Sequence, residues 1–118
     1  MARQPRYNIP GYAQHVIQRG NNRQVCFYKD DDYRLYLARL KQYAQQYEVQ
    51  VHAFVLMTNH VHLLLTPQCE NGISLLMQAL GRFYVQYINK TYSRTGTLWE
   101  GRFRATLVDS DYYALAGQ

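Results

Sequence analysis

Two histidines separated by one residue are the part of this sequence best suited to chemistry. His60 and His62 lie in FVLMTNHVHLLLTP (54–67), where apolar runs flank a polar break at Thr58 and Asn59. Side chains two apart on a strand share a face and stand roughly 6–7 Å apart at the backbone. Two such imidazoles can hold one divalent ion if further ligands come from elsewhere. The spacing alone also fits, and more readily, two half-buried histidines that only find hydrogen-bond partners.

Arginines and asparagines form a second group of candidates, for binding phosphates. The segment RGNNR (19–23) reads as a turn, because glycine and asparagine tolerate positive φ, and its arginines could bind a phosphate or a base edge. A solvated loop explains the same residues. Further arginines alternate with apolar residues near the end of the chain. The phosphate-binding candidates are Arg19, Asn21, Asn22, Arg23, Arg102 and Arg104.

Composition is compatible with a nucleic-acid partner. The 118 residues carry a net charge of +5 and include twelve tyrosines. Basic side chains can neutralise phosphates while aromatic rings stack on unpaired bases. A basic surface with no partner would have the same composition.

The chain shows no sign of a membrane or an oxidising compartment. No apolar run approaches the length of a membrane span, and the N-terminus MARQPR lacks an apolar signal core. Cys26 and Cys69 form no CxxC pair and are expected to be free thiols. We therefore expect a cytoplasmic protein with no membrane partner.

The elements that position the histidines follow from hydrophobic periodicity and turn residues. Residues 1–118 are predicted to form one domain, with strands at 12–18, 49–57, 60–66 and within 98–108, and helices at 31–47 and 73–92. The order β-α-β-β-α-β is the split βαβ plan of ferredoxin-like α+β folds. It predicts a four-stranded antiparallel sheet with both helices on one face, followed by the start of a C-terminal helix. The other face is open, and we assign His60 and His62 to it.

Three blocks of the sequence resemble one family. MTNHVHLLLTP (57–67) resembles the His-hydrophobe-His (HUH) motif of single-tyrosine transposases, and is most similar to the REP-associated tyrosine transposases. HVIQRGNNR (15–23) resembles their first strand and its turn, and GTLWEGRF (96–103) resembles the segment before their last strand. The blocks occur in the family's order and span most of the chain.

The resemblance implies an enzyme of DNA transposition. Such enzymes bind hairpin-forming single-stranded DNA, and a tyrosine oxygen attacks a phosphodiester to give a 5′-phosphotyrosine and a free 3′-hydroxyl. His60 and His62 would bind magnesium or manganese, and the phosphate-binding candidates would contact DNA. Because family members form dimers, the resemblance also implies a homodimer as one oligomeric state.

The resemblance implies that the nucleophile is missing from these 118 residues. The family tyrosine lies on the helix after the fourth strand, in a segment resembling YIELNP that would begin just past Gln118. Tyr113 is the candidate within the chain, but Gln118 follows it by five residues, whereas the family's amide ligand follows its tyrosine by four. The resemblance therefore predicts that these 118 residues do not cleave single-stranded DNA by themselves. The alternatives are a non-catalytic DNA-hairpin-binding module and a structural metal protein.

Overall fold

A computed structural model describes residues 9–108, which contain four strands, two long helices and a short 3-10 turn at Asn21–Arg23. The elements are β1 (Gln14–Arg19), α1 (Asp30–Gln46), β2 (Val49–Leu56), β3 (His60–Pro67), α2 (Gly72–Thr91) and β4 (Arg104–Leu107). These bounds differ from the predicted ones by a residue or two, except that β4 occupies only part of its predicted range. The predicted start of a C-terminal helix lies outside the described residues.

The four strands form one antiparallel sheet in the order β2-β3-β1-β4. The α+β ferredoxin-like prediction is therefore confirmed. β2 and β3 form a β-hairpin across Thr58 and Asn59. The central strands β3 and β1 pair over six residues, with Ile17 opposite His62. Pro67 has no N–H to donate and is the last paired residue of β3, opposite Val49, while its carbonyl accepts a hydrogen bond from Gly11 N at 2.7 Å.

The core lies between one face of the sheet and the two helices. Alternate residues of β3 are fully buried while those between them are half-buried, the period expected of a strand with one covered face. The buried apolar residues are Val16, Cys26, Phe27, Tyr36, Leu40, Ala44, Val49, Val61, Leu63, Leu65, Ile73, Leu76, Met77, Leu80, Tyr84, Ile88, Leu98 and Trp99. The face of the sheet opposite the helices is called the open face below.

A buried carboxylate ties the start of α1 to the end of α2. Asp32 has no exposed surface, and its oxygens accept hydrogen bonds from the Tyr87 and Tyr92 hydroxyls at 2.7 and 2.6 Å. The backbone N–H groups of Tyr28 and Lys29 donate to the same carboxylate at 2.9 and 3.0 Å. Burial acts to raise the pKa of Asp32, but these four bonds outweigh it and hold the pKa below its usual range. Asp32 is therefore a charged core residue as well as a favourable charge at the helix N-terminus.

Neither helix of residues 9–108 combines the length and the apolar character that crossing a membrane requires.

Candidate metal and nucleic-acid site

His60 and His62 lie side by side on the open face, as their spacing predicts. Val61 and Leu63, the residues that alternate with them, are fully buried beneath the helices. The two imidazole ring centres are 5.0 Å apart with their planes at 79°, and both rings are half-buried. Two nitrogen ligands are thus close enough to share one ion.

Backbone hydrogen bonds from a distant loop fix the turn before His60. Gly20 N donates to Asn59 O at 2.8 Å, and the N–H groups of Cys26 and Phe27 donate to Thr58 O at 2.7 and 3.2 Å. Gly20 permits this approach because it has no side chain. A Cβ there would meet Gln24 O at 2.3 Å and Cys26 Sγ at 2.8 Å. The loop after β1 therefore sets where β3, the strand that carries His60 and His62, begins.

The hydrogen bond of His60 leaves one of its nitrogens available to a metal. His60 Nδ1 lies 2.8 Å from Asn59 Oδ1, which can only accept, so Nδ1 carries the proton. His60 Nε2 then keeps its lone pair. Within residues 9–108 no group of three or more His, Cys, Asp or Glu side chains is arranged to bind a metal. The pair fits a divalent ion only if other ligands, water included, complete the shell.

His62 contacts a third histidine. His15 on β1 points its Nε2 at His62 Nδ1, 2.9 Å away. Burial lowers the pKa of His62, and the nearby His15, His60 and Arg19 lower it further. His62 is therefore neutral near pH 7, the state in which imidazole binds metals.

A polar cavity of about 690 Å³ adjoins His60. Arg19 is the direct cross-strand partner of His60, and Arg23 lies on the loop that follows β1. Glu100 supplies a carboxylate at the rim. The lining consists of Arg19, Gly20, Asn22, Arg23, Asn59, His60 and Glu100. The structure thus joins three phosphate-binding candidates to one metal-binding candidate.

Positive φ occurs in this loop, but not at the glycine. Gly20 is extended at φ −64°, whereas Asn22 and Arg23 adopt the left-handed region at 57° and 60°. Asparagine reaches that region readily, while for arginine it costs about 1–2 kcal/mol. Such strained positions are often found at functional sites. Gly20 is therefore required because a side chain there would collide with Gln24 and Cys26, and not because of its φ angle. The turn at Asn22 and Arg23 places Arg23 in the lining of the cavity.

The remaining phosphate-binding candidates are placed differently. Arg104 pairs with Ile17, which also pairs with His62, so Arg104 lies on the open face with strand β1 between it and the histidine. Arg102 lines a separate groove against α2 together with Ser74 and Gln78. Asn21 is exposed, and its N–H donates to Leu98 O. Only Arg104 of these three shares a surface with the metal-binding candidates.

An apolar cavity of about 530 Å³ lies on the other side of His62. Its lining includes His15, Val55, Leu64 and Thr106. In the part of the chain that the structure describes, neither this cavity nor the polar one has a tyrosine in its lining.

The tyrosines of α2 are engaged elsewhere. Tyr84 is fully buried and donates to Cys26 O at 2.6 Å, and Tyr87 donates to Asp32. The hydrogen bond to Asp32 raises the pKa of Tyr87 to about 12. Both hydroxyls are therefore unsuited to act as nucleophiles at the histidines. Tyr113, the nucleophile candidate from the sequence, lies outside the described residues.

Sequence reasoning missed four contributors to this site, namely His15, Gly20, Asn59 and Glu100. Asn59 directly precedes His60, so its contact with the ring could have been anticipated. The others depend on strand register and loop contacts, for which the sequence gives no local signal.

The family model described as "Transposase IS200 like" matches residues 8–116. No curated protein matches the sequence. The fold is similar to that of a REP-associated tyrosine transposase bound to a REP hairpin, with a TM-score of 0.76 and 16% identity over 98% of this chain and 68% of that one. It is also similar to a protein from Deinococcus radiodurans R1 provisionally assigned as a transposase, with a TM-score of 0.67 and 23% identity over 100% of this chain and 94% of that one. Because the family model covers nearly the whole sequence, the chain belongs to the IS200-like transposase family.

Proposed function

We propose that this chain binds hairpin-forming single-stranded DNA and positions one phosphodiester for metal-assisted transesterification. The observation that carries the proposal is the position of His60, which belongs both to the histidine pair and to the arginine-lined cavity. A phosphate held by Arg19 and Arg23 would lie next to the metal. The solved relative bound to a REP hairpin supports DNA of this kind as the partner.

The histidines would act as neutral nitrogen ligands through Nε2. Asn59 would hold the His60 ring, because its carboxamide oxygen accepts from Nδ1. A bound magnesium or manganese ion would supply Lewis-acid polarisation of a non-bridging phosphate oxygen. A pair of nitrogen ligands favours manganese over magnesium in affinity.

The arginines would bind the DNA backbone rather than read its sequence. Arg19 and Arg23 supply two positive charges to a cavity that holds one carboxylate, Glu100. Neutralising phosphates releases counterions, so the affinity should fall steeply with salt. Arg104 would extend the positive surface across the open face.

The nucleophile in the proposed reaction is a tyrosine, as in the family. Its oxygen would attack phosphorus in line, the bond to the 3′-oxygen would break, and a 5′-phosphotyrosine would form. Covalent adducts trapped on a hairpin substrate with manganese can be mapped by mass spectrometry. An adduct on the buried Tyr84, or on Tyr87 whose hydroxyl binds Asp32, would contradict this geometry.

Fluorescence anisotropy tests the DNA part of the proposal. A labelled hairpin with a single-stranded flank should bind more tightly than plain duplex of equal length. The dependence of log Kd on log salt should become shallower by about one unit in Arg23→Ala if Arg23 contacts a phosphate. Arg34→Ala is the matched control, because Arg34 is an exposed arginine on α1 whose partner, Asp31, is 3.9 Å away.

Manganese titration tests the metal part. Isothermal calorimetry should detect binding to the native chain and its loss in His60→Ala. Equal binding by both proteins, or equal affinity for hairpin and duplex, would reject the corresponding half of the proposal. The native mass in solution will show whether the chain forms the homodimer that the family resemblance implies.

A further inference from the structure

His15 and His62 are joined end to end. Their nitrogens are 2.9 Å apart, their ring planes differ by 1° and their ring centres are 5.1 Å apart. If the rings were stacked face to face, a nitrogen–nitrogen distance of 2.9 Å would bring the ring centres closer together than 5.1 Å. A distance of 5.1 Å between the centres results when both nitrogens lie near the line that joins them. This is the geometry of a linear N–H···N hydrogen bond.

The sheet register puts the two rings in contact. Ile17 stands opposite His62, and His15 stands opposite Leu64, so His15 is the diagonal neighbour of His62 on the open face. Diagonal neighbours are within reach of aromatic and other long side chains. The contact therefore follows from the pairing of the two central strands.

A metal ion shared between His15 and His62 does not fit this geometry. The two nitrogens face each other, so an ion between them would be about 1.5 Å from each, whereas nitrogen–metal distances are about 2.0–2.1 Å. His15 therefore contacts the Nδ1 side of the His62 ring and leaves His62 Nε2 unobstructed.

The bond can be made with either of two proton positions. If His15 Nε2 donates, His62 carries its own proton on Nε2 and has no lone pair there. If His62 Nδ1 donates, His62 Nε2 is free to bind a metal. His60, the other proposed metal ligand, already has its proton on Nδ1, because His60 Nδ1 donates to Asn59 Oδ1.

We infer that His15 is a positioning residue for the metal site, accepting a hydrogen bond from His62 Nδ1–H so that Nε2 faces the ion. This inference rests on the proposed function, since it gives His62 the role of a metal ligand. Ligating histidines commonly donate their second nitrogen to a fixed acceptor, and removal of that acceptor typically weakens metal affinity 10–100-fold. Asn59 would serve His60 in the same way that His15 serves His62.

Two substitutions of His15 separate the hydrogen bond from the packing. His15→Leu keeps a side chain of similar bulk but removes the acceptor, and should weaken manganese binding by about 10–100-fold. His15→Gln places a carboxamide oxygen near the former Nε2 and should restore most of the affinity. Thr106→Ala is the matched control, because Thr106 is the exposed partner of His15 on β4.

Nitrogen-15 NMR of the metal-free protein gives a readout that packing alone would not change. Long-range couplings should show His62 as the Nδ1–H form in the native chain and shift it toward Nε2–H in His15→Leu. Finding His62 as Nε2–H in the native chain would overturn the inference, as would equal manganese affinity for the native and His15→Leu chains while His60→Ala loses it. If the native chain binds no manganese at all, the proposed metal site itself fails, and this role of His15 fails with it.

Discussion

Replacing Gly20 with alanine should damage the site and the fold together. The added Cβ would be 2.3 Å from Gln24 O and 2.8 Å from Cys26 Sγ. Ordinary carbon–oxygen contacts are about 3.3–3.6 Å, so the backbone of this loop must retreat by roughly 1 Å. The bond from Gly20 N to Asn59 O, which fixes the turn before His60, would lengthen or break.

The expected cost follows from these contacts. Overpacking costs about 1–3 kcal/mol, and losing a backbone hydrogen bond adds about 0.5–1.5 kcal/mol. A total of about 2–4 kcal/mol is a large part of the free energy of unfolding of a small domain. For this chain length the melting temperature should fall by about 3–5 °C per kcal/mol. Manganese affinity should fall as well, because the backbone that holds His60 moves.

The same substitution at Gly81 is the matched control. Gly81 lies in α2, and a Cβ there would have no atom within 4 Å. Alanine in a helix is more favourable than glycine by about 0.5–1 kcal/mol, so Gly81→Ala should raise the melting temperature. Calorimetric scans and manganese titrations of both variants provide the test. Native-like melting and metal affinity in Gly20→Ala would refute the role given to this loop.

Three further predictions concern the buried carboxylate, the thiols and the arginine-lined cavity. Asp32→Asn should lower stability by about 2–4 kcal/mol, whereas the exposed Asp31→Asn should change it by under about 0.5 kcal/mol in urea unfolding. The pKa of Asp32 is lower in the folded chain than in the unfolded chain, where it is about 4. The stability that Asp32 contributes is therefore fully present above pH about 4 and is lost as pH falls through the folded-state pKa. Thermal melts of Asp32→Asn at acid pH should lack this loss of stability. A thiol reagent at pH 8 should label exposed Cys69 in the folded chain and spare Cys26, whose pKa burial raises to about 12, and rapid labelling of both would contradict the fold. Arg19→Ala should weaken hairpin DNA binding at low salt more than at high salt, and an equal loss at both would argue against a phosphate contact.

Local sequence patterns predicted the buried face of the strands better than the buried face of α1. The alternation in β3 was sufficient to place Val61 inside and His62 outside. In α1, helical spacing predicts one buried stripe made of Tyr33, Leu37, Leu40, Ala44 and Tyr47. Leu40 and Ala44 are buried as this spacing predicts, but the other three are only partly covered. The buried positions are Asp32, Tyr36, Leu40 and Ala44. A sequence pattern that places every carboxylate in solvent cannot predict that the face of α1 with Asp32 is the buried one. The tyrosines whose hydroxyls donate hydrogen bonds to Asp32 follow it by 55 and 60 residues.

The site was predictable only where its parts are close in sequence. The placement of His60 and His62 on one face follows from strand periodicity, and Asn59 is adjacent to them. His15 is 47 residues away from His62, and its role depends on a register that pairs Ile17 with that histidine. A slip of one residue would turn His15 into the core. Register is set by the packing of the whole sheet, so the third histidine could not be found from the sequence alone.

The strand order determines how the site should behave when parts of the sheet open. β3 and β1, which carry the three histidines, are the central strands, whereas β2 and β4 form the two edges of the described sheet. Local opening begins at weakly held segments, and β4 contributes only four residues. Amide hydrogens of β4 should therefore exchange with solvent long before those of β1 and β3. Transient fraying of an edge would leave the histidines in register, so the arrangement of His15, His60 and His62 should be lost only when the whole domain unfolds.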